Sequence, residues 1–223
     1  MSRPILIAFG LMLTALAGFI DAIGFIRLGG LYTSLMSGNT TQLAVAIGHG
    51  EGQHALLPFL LILAFLVGAV MGGAIAALAP ERWATPAILA FETIAVASAF
   101  LSAHEQLRLG TAALFLSLAM GTQNAVLAHI QGFRAGTTFV TGALFSFGQK
   151  IALALAGRGT RFGWAGDGLV WLALMVGAVA GTVAHTHYDI DALAIPAVIM
   201  AVLAAWAATA ALVTGRAIVK PSS

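Results

Sequence analysis

Two carboxylates in this sequence lie inside long apolar runs: Asp21 in Gly18-Phe19-Ile20-Asp21-Ala22, and Glu92 midway through Ala84–Ala103. An Asp at the centre of a bilayer-spanning helix costs about 2.5–3.5 kcal/mol on insertion scales, so such a group faces a bundle interior or a cavity. The chemistry open to it is that of a proton or cation site, or a hydrogen-bond anchor for a substrate. For Asp21 the structural alternative is a bond to the backbone of a neighbouring broken segment. For Glu92 it is a protonated or hydrogen-bonded group in the core. Asp21 belongs to a small and polar stripe, Thr14, Gly18, Asp21, Phe25, at the spacing of one helix face. A second stripe reads Ser117, Gly121, Asn124, Ala128, with an amide where the first has a carboxylate.

Two further groups carry polar atoms. Ser37-Gly38-Asn39 stands at the centre of Leu28–Gly48. Glycine and asparagine accept left-handed backbone, so a break there would free carbonyls and amides to hold an ion or a substrate group. The alternative is a kink with Asn39 capping a freed group. Ala135–Ala156 carries Thr137, Thr138, Thr141, Gly142, Gln149 and Lys150. The candidate substrate-binding set is Asp21, Ser37, Gly38, Asn39, Gln123, Asn124, Thr138, Thr141 and Gly142, and the candidate proton-coupling pair is Asp21 and Glu92. Lys150 is expected to snorkel to the membrane interface, or else to pair with Asp21 or Glu92 or meet an anionic substrate. Asp167, after Gly166, reads as a helix N-cap. The six histidines fall at segment ends or loops. His185–Asp191 could hold a metal, but a solvated loop explains it as well, and no metal or cofactor is assigned. The hydrolase, zincin and phosphate-loop signatures are missing, so no catalytic residue is assigned and the chain is not expected to be an enzyme.

The elements that must position these residues follow from composition. Of 223 residues, 60% are apolar before 26 glycines are added, and 8% are charged. Soluble domains run at about 45–50% apolar with glycine included and about 25% charged. A soluble fold, a disordered chain and a nucleic-acid binder are excluded; the ten cations are scattered and the net charge is +2. With no cysteine there is no disulfide or thiolate chemistry. A spanning helix needs about 20 apolar residues. Six stretches meet this: Pro4–Ile26, Ala55–Ala79, Ala84–Ala103, Leu107–Ile130, Leu169–Ala184 with its flanks, and Ala192–Thr214. The polar Leu28–Gly48 and Ala135–Ala156 bring the count of hydrophobic helical segments to eight. These two must face protein or water, or be broken in the membrane. The first run is long for a secretory signal and has a later copy, so it is read as a span.

The chain reads as one all-α polytopic membrane domain, 1–223, made of two repeats, about 4–103 and 107–214. At an offset of 103, Thr14, Gly18, Asp21 and Ala22 fall on Ser117, Gly121, Asn124 and Ala125. At 104, Thr33-Ser34 falls on Thr137-Thr138 and Ser37-Gly38 on Thr141-Gly142. At 109, Val67-Gly68-Ala69-Val70 repeats as Val176-Gly177-Ala178-Val179, and at 110 Pro86-Ala87 repeats as Pro196-Ala197. The Gly68/Gly72 and Gly177/Gly181 pairs suit close helix packing within the bundle, or a homodimer. Gly18-Phe19-Ile20-Asp21-Ala22, Ser37-Gly38-Asn39, Gln123-Asn124-Ala125, Thr138 and Thr141-Gly142 together resemble the YoaK-like bacterial membrane proteins, a family defined by a domain of unknown function. That family has Thr-Gly-Asn where this chain has Ser37-Gly38-Asn39. The resemblance implies a bacterial inner membrane and brings no substrate.

Cationic residues mark the cytoplasmic side. Eight spans put six cations inside and three outside; six spans, with both polar segments returning to the side they entered, put seven inside and two outside. Both layouts make the termini cytoplasmic. Four spans per repeat would be parallel repeats, three would be inverted. The expected function is small-solute transport or export, proton-coupled through a polar site at the repeat interface, with the bilayer and an unidentified small molecule as partners. The alternatives are a membrane scaffold or sensor and, behind it, an intramembrane enzyme. Asp21, Asn39, Asn124 and Thr141 are expected to converge near the bundle centre.

Overall fold

A computed structural model describes residues 3–104, 109–129 and 140–218, and every regular element among them is helical. The helices are α1 (Arg3–Arg27), α2 (Met36–Gly48), α3 (Gly52–Leu78), α4 (Glu81–His104), α5 (Leu109–His129), α6 (Val140–Leu155), α7 (Ala165–Tyr188) and α8 (Ala194–Ile218). A 3-10 turn, Asp189–Leu193, joins α7 to α8. Five stretches are long and apolar enough to cross a membrane, the last running from Ala165 to Val213 through α7 and α8. Helices α1, α3, α4, α5, α7 and α8 cover the six apolar runs of the sequence, with ends moved by a few residues.

The first polar segment holds a shorter helix than expected. Its residues 28–35 are loop and α2 has 13 residues, about 20 Å of helix against a hydrocarbon core of about 30 Å. In the second, α6 covers Val140–Leu155. Thr137 and Thr138 lie outside the described residues.

The core is built from Leu13, Leu16, Ile20 and Ile23 of α1, Ile88, Leu89 and Val96 of α4, Leu116, Met120 and Leu127 of α5, and Met200 of α8. The outer surface is apolar too: Leu66 and Val70 of α3 and Val176 and Val179 of α7 are each more than half exposed. An apolar shell around a buried core is the arrangement of a chain solvated by lipid.

Glycines set the closest contacts. Gly177 and Gly181 of α7 pack on the backbone of Ala15 and Phe19 in α1, and Gly18 of α1 packs on Leu174 and Ala178. The pairs advance together, so α1 and α7 run parallel. Gly68 and Gly72 of α3 pack on Leu118 and Thr122 in α5, and Gly121 packs on Phe65 and Ala69. Helices α3 and α5 thus also run parallel. Each residue of the first set stands 103 or 109 positions from its counterpart in the second. Thr122 adds a hydroxyl bond to the Gly68 carbonyl at 3.1 Å. Both glycine pairs are occupied inside the molecule.

Three helices end on one face. Arg27, the last residue of α1, pairs with Asp189 just after α7 at 2.6 Å. His104, the last residue of α4, pairs with Asp191 at 2.8 Å. Helix α4 therefore ends where α1 ends and starts at the opposite face. Helix α3, which precedes it across two residues, runs the other way, so α3 and α5 begin on the face where α1 finishes. Helices α1 and α5 are antiparallel, joined by Gln123 Nε2 donating to the Leu13 carbonyl at 3.3 Å.

Candidate functional site

The first polar cluster is built on the end of α1. Gly29 and Gly30, at φ of 64° and 103°, adopt the left-handed conformation that glycine alone takes freely, and turn the chain back. Asp21 lies six residues before the helix end, about 9 Å down its axis. Its Oδ1 accepts from Thr33 N at 2.8 Å, Thr33 Oγ1 at 2.8 Å and Ser34 N at 2.7 Å, and its Oδ2 accepts from the Ser34 hydroxyl. Four donors converge on one buried carboxylate and hold the loop at the depth of Asp21. Charge-assisted bonds of this kind are among the stronger ones in proteins.

Asn39 completes the cluster. Its Oδ1 accepts from Tyr32 N at 2.9 Å and its Nδ2 donates to Tyr32 O at 2.7 Å. The side-chain amide thus stands in for a neighbouring strand and satisfies both backbone groups of a loop residue. A Cβ on Gly38 would stand 2.7 Å from the Tyr32 ring, so the glycine makes room for the loop. The expected break at Ser37–Asn39 is displaced: these residues form the first turn of α2, and the break is the loop before it. The cause is Asp21, which supplies the partners a freed loop backbone needs.

A cleft of about 260 Å³ lies beside this cluster, between α1, α7 and the loop. Gly18, Ala22, Phe25, Tyr32, Leu174 and Ala178 line it, with Asp21 at its wall.

A second polar layer lies in the core between α4, α5 and α1. Glu92, Ser117 and Gln123 are fully buried. Both Glu92 carboxyl oxygens, Ser117 Oγ, Gln123 Oε1 and Asn124 Oδ1 have no partner among the described residues. The amide nitrogens are engaged, Gln123 Nε2 with Leu13 O and Asn124 Nδ2 with Met120 O at 3.1 Å. What remains is a set of carboxyl and amide oxygens and one hydroxyl, which can donate as well as accept. Burying such a group without a partner costs roughly 1–3 kcal/mol in proteins, so an arrangement of this kind calls for a functional account.

The expected site residues thus separate. Asp21 and Asn39 share the loop 28–35, while Gln123, Asn124 and Glu92 belong to the core layer. Ser37 and Thr141 are exposed, Gly142 lies on α6, which buries no residue, and Thr138 is outside the described residues. No hydrogen bond among the described residues joins Asp21 or Asn39 to Asn124 or Thr141; antiparallel α1 and α5 put Asp21 and Asn124 in opposite halves of the bundle. Lys150 meets neither Asp21 nor Glu92 but pairs with Asp167 at 2.6 Å, and Ser146 donates to the same carboxylate at 3.1 Å. Asp167 is consequently not the N-cap of α7, which is Trp164; it sits in the first turn and ties α6 to α7. His185–Asp191 is helical and 3-10 rather than a loop, and no group of three metal-ligating side chains occurs among the described residues.

Thr33, Ser34, Tyr32 and Ser117 were not singled out as site residues from the sequence. The signal for Thr33 and Ser34 was present: both repeats keep a hydroxyl pair together with the carboxylate or amide of the preceding helix.

The comparisons with known proteins agree with this architecture. A family model described as protein of unknown function (DUF1275) matches residues 9–206. The UPF0700 transmembrane protein RA0705 of Rhizobium meliloti (strain 1021) is 35% identical over 172 residues, covering 75% of this chain and 71% of that protein. No solved structure matches. Together with its apolar helices and its YoaK-like motifs, these matches make the chain a transmembrane protein of the DUF1275 family, whose function is uncharacterised.

Proposed function

We propose that this protein is a small-solute transporter of the bacterial inner membrane, built from two inverted repeats of three spans, each with one re-entrant segment. The observation that carries the reading is the pair of glycine-packed helix couples, α1 with α7 and α3 with α5. Their contacts correspond at the offsets of the internal duplication and flank an antiparallel α1–α5 pair. Inverted repeats with discontinuous segments at their interface are a common plan of secondary transporters. Further support comes from the shared end face of α1, α4 and α7. It suits a loop 28–35 and an α2 that enter and return on one side, with Asp21 as the anchor. The six-span layout also gives the better charge balance, seven cations inside and two outside, with Arg27 and Asp189 facing outward and both termini cytoplasmic.

In this reading Glu92 is the proton-coupling group and the core layer around Gln123 and Asn124 belongs to the solute path. Neither Glu92 carboxyl oxygen has a hydrogen-bond partner among the described residues, so its neutral form fits the core better than its anion. Asp21 already has four donors and serves as the hinge of the re-entrant segment.

Reconstitution into proteoliposomes tests the proposal. Uptake of a solute that depends on the protein and on an imposed pH gradient, and that is lost in Glu92→Gln, is the expected result. Absence of flux across a broad panel of small solutes, together with a stable partner complex isolated from native membranes, would favour a scaffold or sensor instead.

A further inference from the structure

We infer that the turn between α6 and α7 is a site for the headgroup of an anionic phospholipid, with Arg158 and Arg161 on the phosphate and Leu155 and Phe162 at the acyl boundary. The inference uses the membrane placement proposed above and is independent of transport.

The turn is longer than a connection requires. The offset between the two copies grows from 104 ahead of it to 109 beyond it, so the second copy has gained five residues in this region. In the first copy, residues 49–51 link α2 to α3 as His49-Gly50-Glu51, without arginine or aromatic ring. In the second, residues 156–164 link α6 to α7 and carry Arg158, Arg161, Phe162 and Trp164.

Local hydrogen bonds fix the shape of this link. Gly157, at φ of 70°, ends α6 in the left-handed conformation. Its N–H donates to Ala154 O at 3.2 Å, and Arg158 N donates to Leu153 O at 2.9 Å, the two bonds of a Schellman cap. Arg158 is thereby held at the end of α6. A Cβ on Gly159 would stand 3.2 Å from that of Leu153, so the chain passes back against the helix. Gly163 N then donates to Thr160 O at 3.1 Å, and Trp164 Nε1 donates to Arg161 O at 3.0 Å. Both arginines belong to one closed turn, three residues apart.

Positive charge is left over in it. Lys150 of α6 is matched by Asp167 of α7, and Ser146 uses the same carboxylate. Arg158 and Arg161 are exposed, and neither guanidinium has an ion-pair partner among the described residues. Arg161 lies over the Phe162 ring at 5.5 Å, a contact that leaves its charge uncompensated. Two such forks suit a phosphate. The neighbours decide which phosphate. Leu155 is 84% exposed and Phe162 66%. A free phosphate ion would leave both in water, whereas a phospholipid covers them. Cations beside exposed apolar side chains and a tryptophan are the composition of a surface at the headgroup level. Six spans and eight spans alike put this turn on the cytoplasmic side, where anionic headgroups attract basic residues. Helix α6 buries no residue of its own, so a headgroup bound here would strengthen its hold on α7.

The test is native mass spectrometry of the purified full chain in detergent. The protein is titrated with phosphatidylglycerol, and separately with phosphatidylcholine of the same acyl chains. Saturable binding of phosphatidylglycerol, tighter than that of phosphatidylcholine, is expected. Arg158→Gln and Arg161→Gln should each weaken it about fivefold, the effect of one basic residue at an anionic membrane surface. Arg82→Gln, which removes an exposed arginine of α4 outside the turn, is the matched control and should leave binding unchanged. All three positions are exposed, so the variants retain the fold. Inorganic phosphate in excess should not displace the lipid. Equal affinity for the two lipids, undiminished binding when both turn arginines are replaced, an equal loss in Arg82→Gln, or displacement by inorganic phosphate would each overturn the site. No flux is read, so failure here leaves the transport proposal as it stands.

Discussion

Asp21 and Glu92 are both buried carboxyls, yet their surroundings assign them opposite work. Asp21 closes four hydrogen bonds to a two-residue segment, and removing it strands two backbone amides and two hydroxyls of buried residues. We expect Asp21→Ala to lower stability by about 3 kcal/mol or more, since each stranded buried group costs roughly 1–3 kcal/mol. Asp21→Asn keeps Oδ1 for three of the four donors, and the Ser34 hydroxyl can turn to accept from the new nitrogen. Its cost should be about 1 kcal/mol, and Asn124 in the second stripe is a natural precedent. Unfolding of the two variants in the same detergent separates the cases; equal losses would mean that Asp21 is not the anchor. Asn39→Leu should also cost about 1–3 kcal/mol, because both backbone groups of Tyr32 lose their partner. The importance of Asp21 and Asn39 was legible in the sequence from their apolar context. Their partners were not, because a loop that folds back on a helix leaves no periodic pattern, and only the paired hydroxyls at 33–34 and 137–138 hinted at it.

At the scale of elements, the glycines decide which helices touch. A Cβ on Gly121 would overlap the Phe65 carbonyl, and one on Gly177 the Ala15 carbonyl, so backbone must move to admit it. Gly121→Ala and Gly177→Ala should each cost about 1–3 kcal/mol through overpacking. Gly73→Ala is the matched control: it lies on α3 one residue from Gly72, nothing stands within 4 Å of its Cβ position, and helix propensity favours alanine by about 1 kcal/mol. Unfolding midpoints that fail to separate Gly73→Ala from Gly121→Ala would refute the packing. Long apolar runs made the apolar helices readable directly, because hydropathy and length alone mark a candidate span. The glycine spacing pointed to close packing but not to the partner, since GxxxG carries no address. The first polar segment was read too long: composition shows that Leu28–Gly48 cannot face lipid, but not that its first eight residues lack helix, which depends on the tertiary bonds to Asp21.

For the whole molecule, the direction of α4 separates the two layouts that hydropathy leaves open. With eight spans, α1 and α4 would end on opposite sides of the membrane. The pairs Arg27–Asp189 and His104–Asp191 tie both ends to the 3-10 turn after α7, the arrangement on which the proposed six-span layout rests. Absence of cysteine in the chain makes this testable with single substitutions on an otherwise unreactive background. Gly50, in the α2–α3 turn, is exposed, as is Asp191; both belong to the shared end face, and Arg82, near the start of α4, is exposed at the opposite one. A membrane-impermeant maleimide added to intact cells should label Gly50→Cys and Asp191→Cys and should label Arg82→Cys only after permeabilisation. Under eight spans Gly50 and Arg82 would exchange sides while Asp191 stayed outside. Labelling of Arg82→Cys from outside, or protection of Gly50→Cys beside a reactive Asp191→Cys, would remove the re-entrant segment, and with it the inverted pairing of α1 and α5 on which the proposed solute path rests.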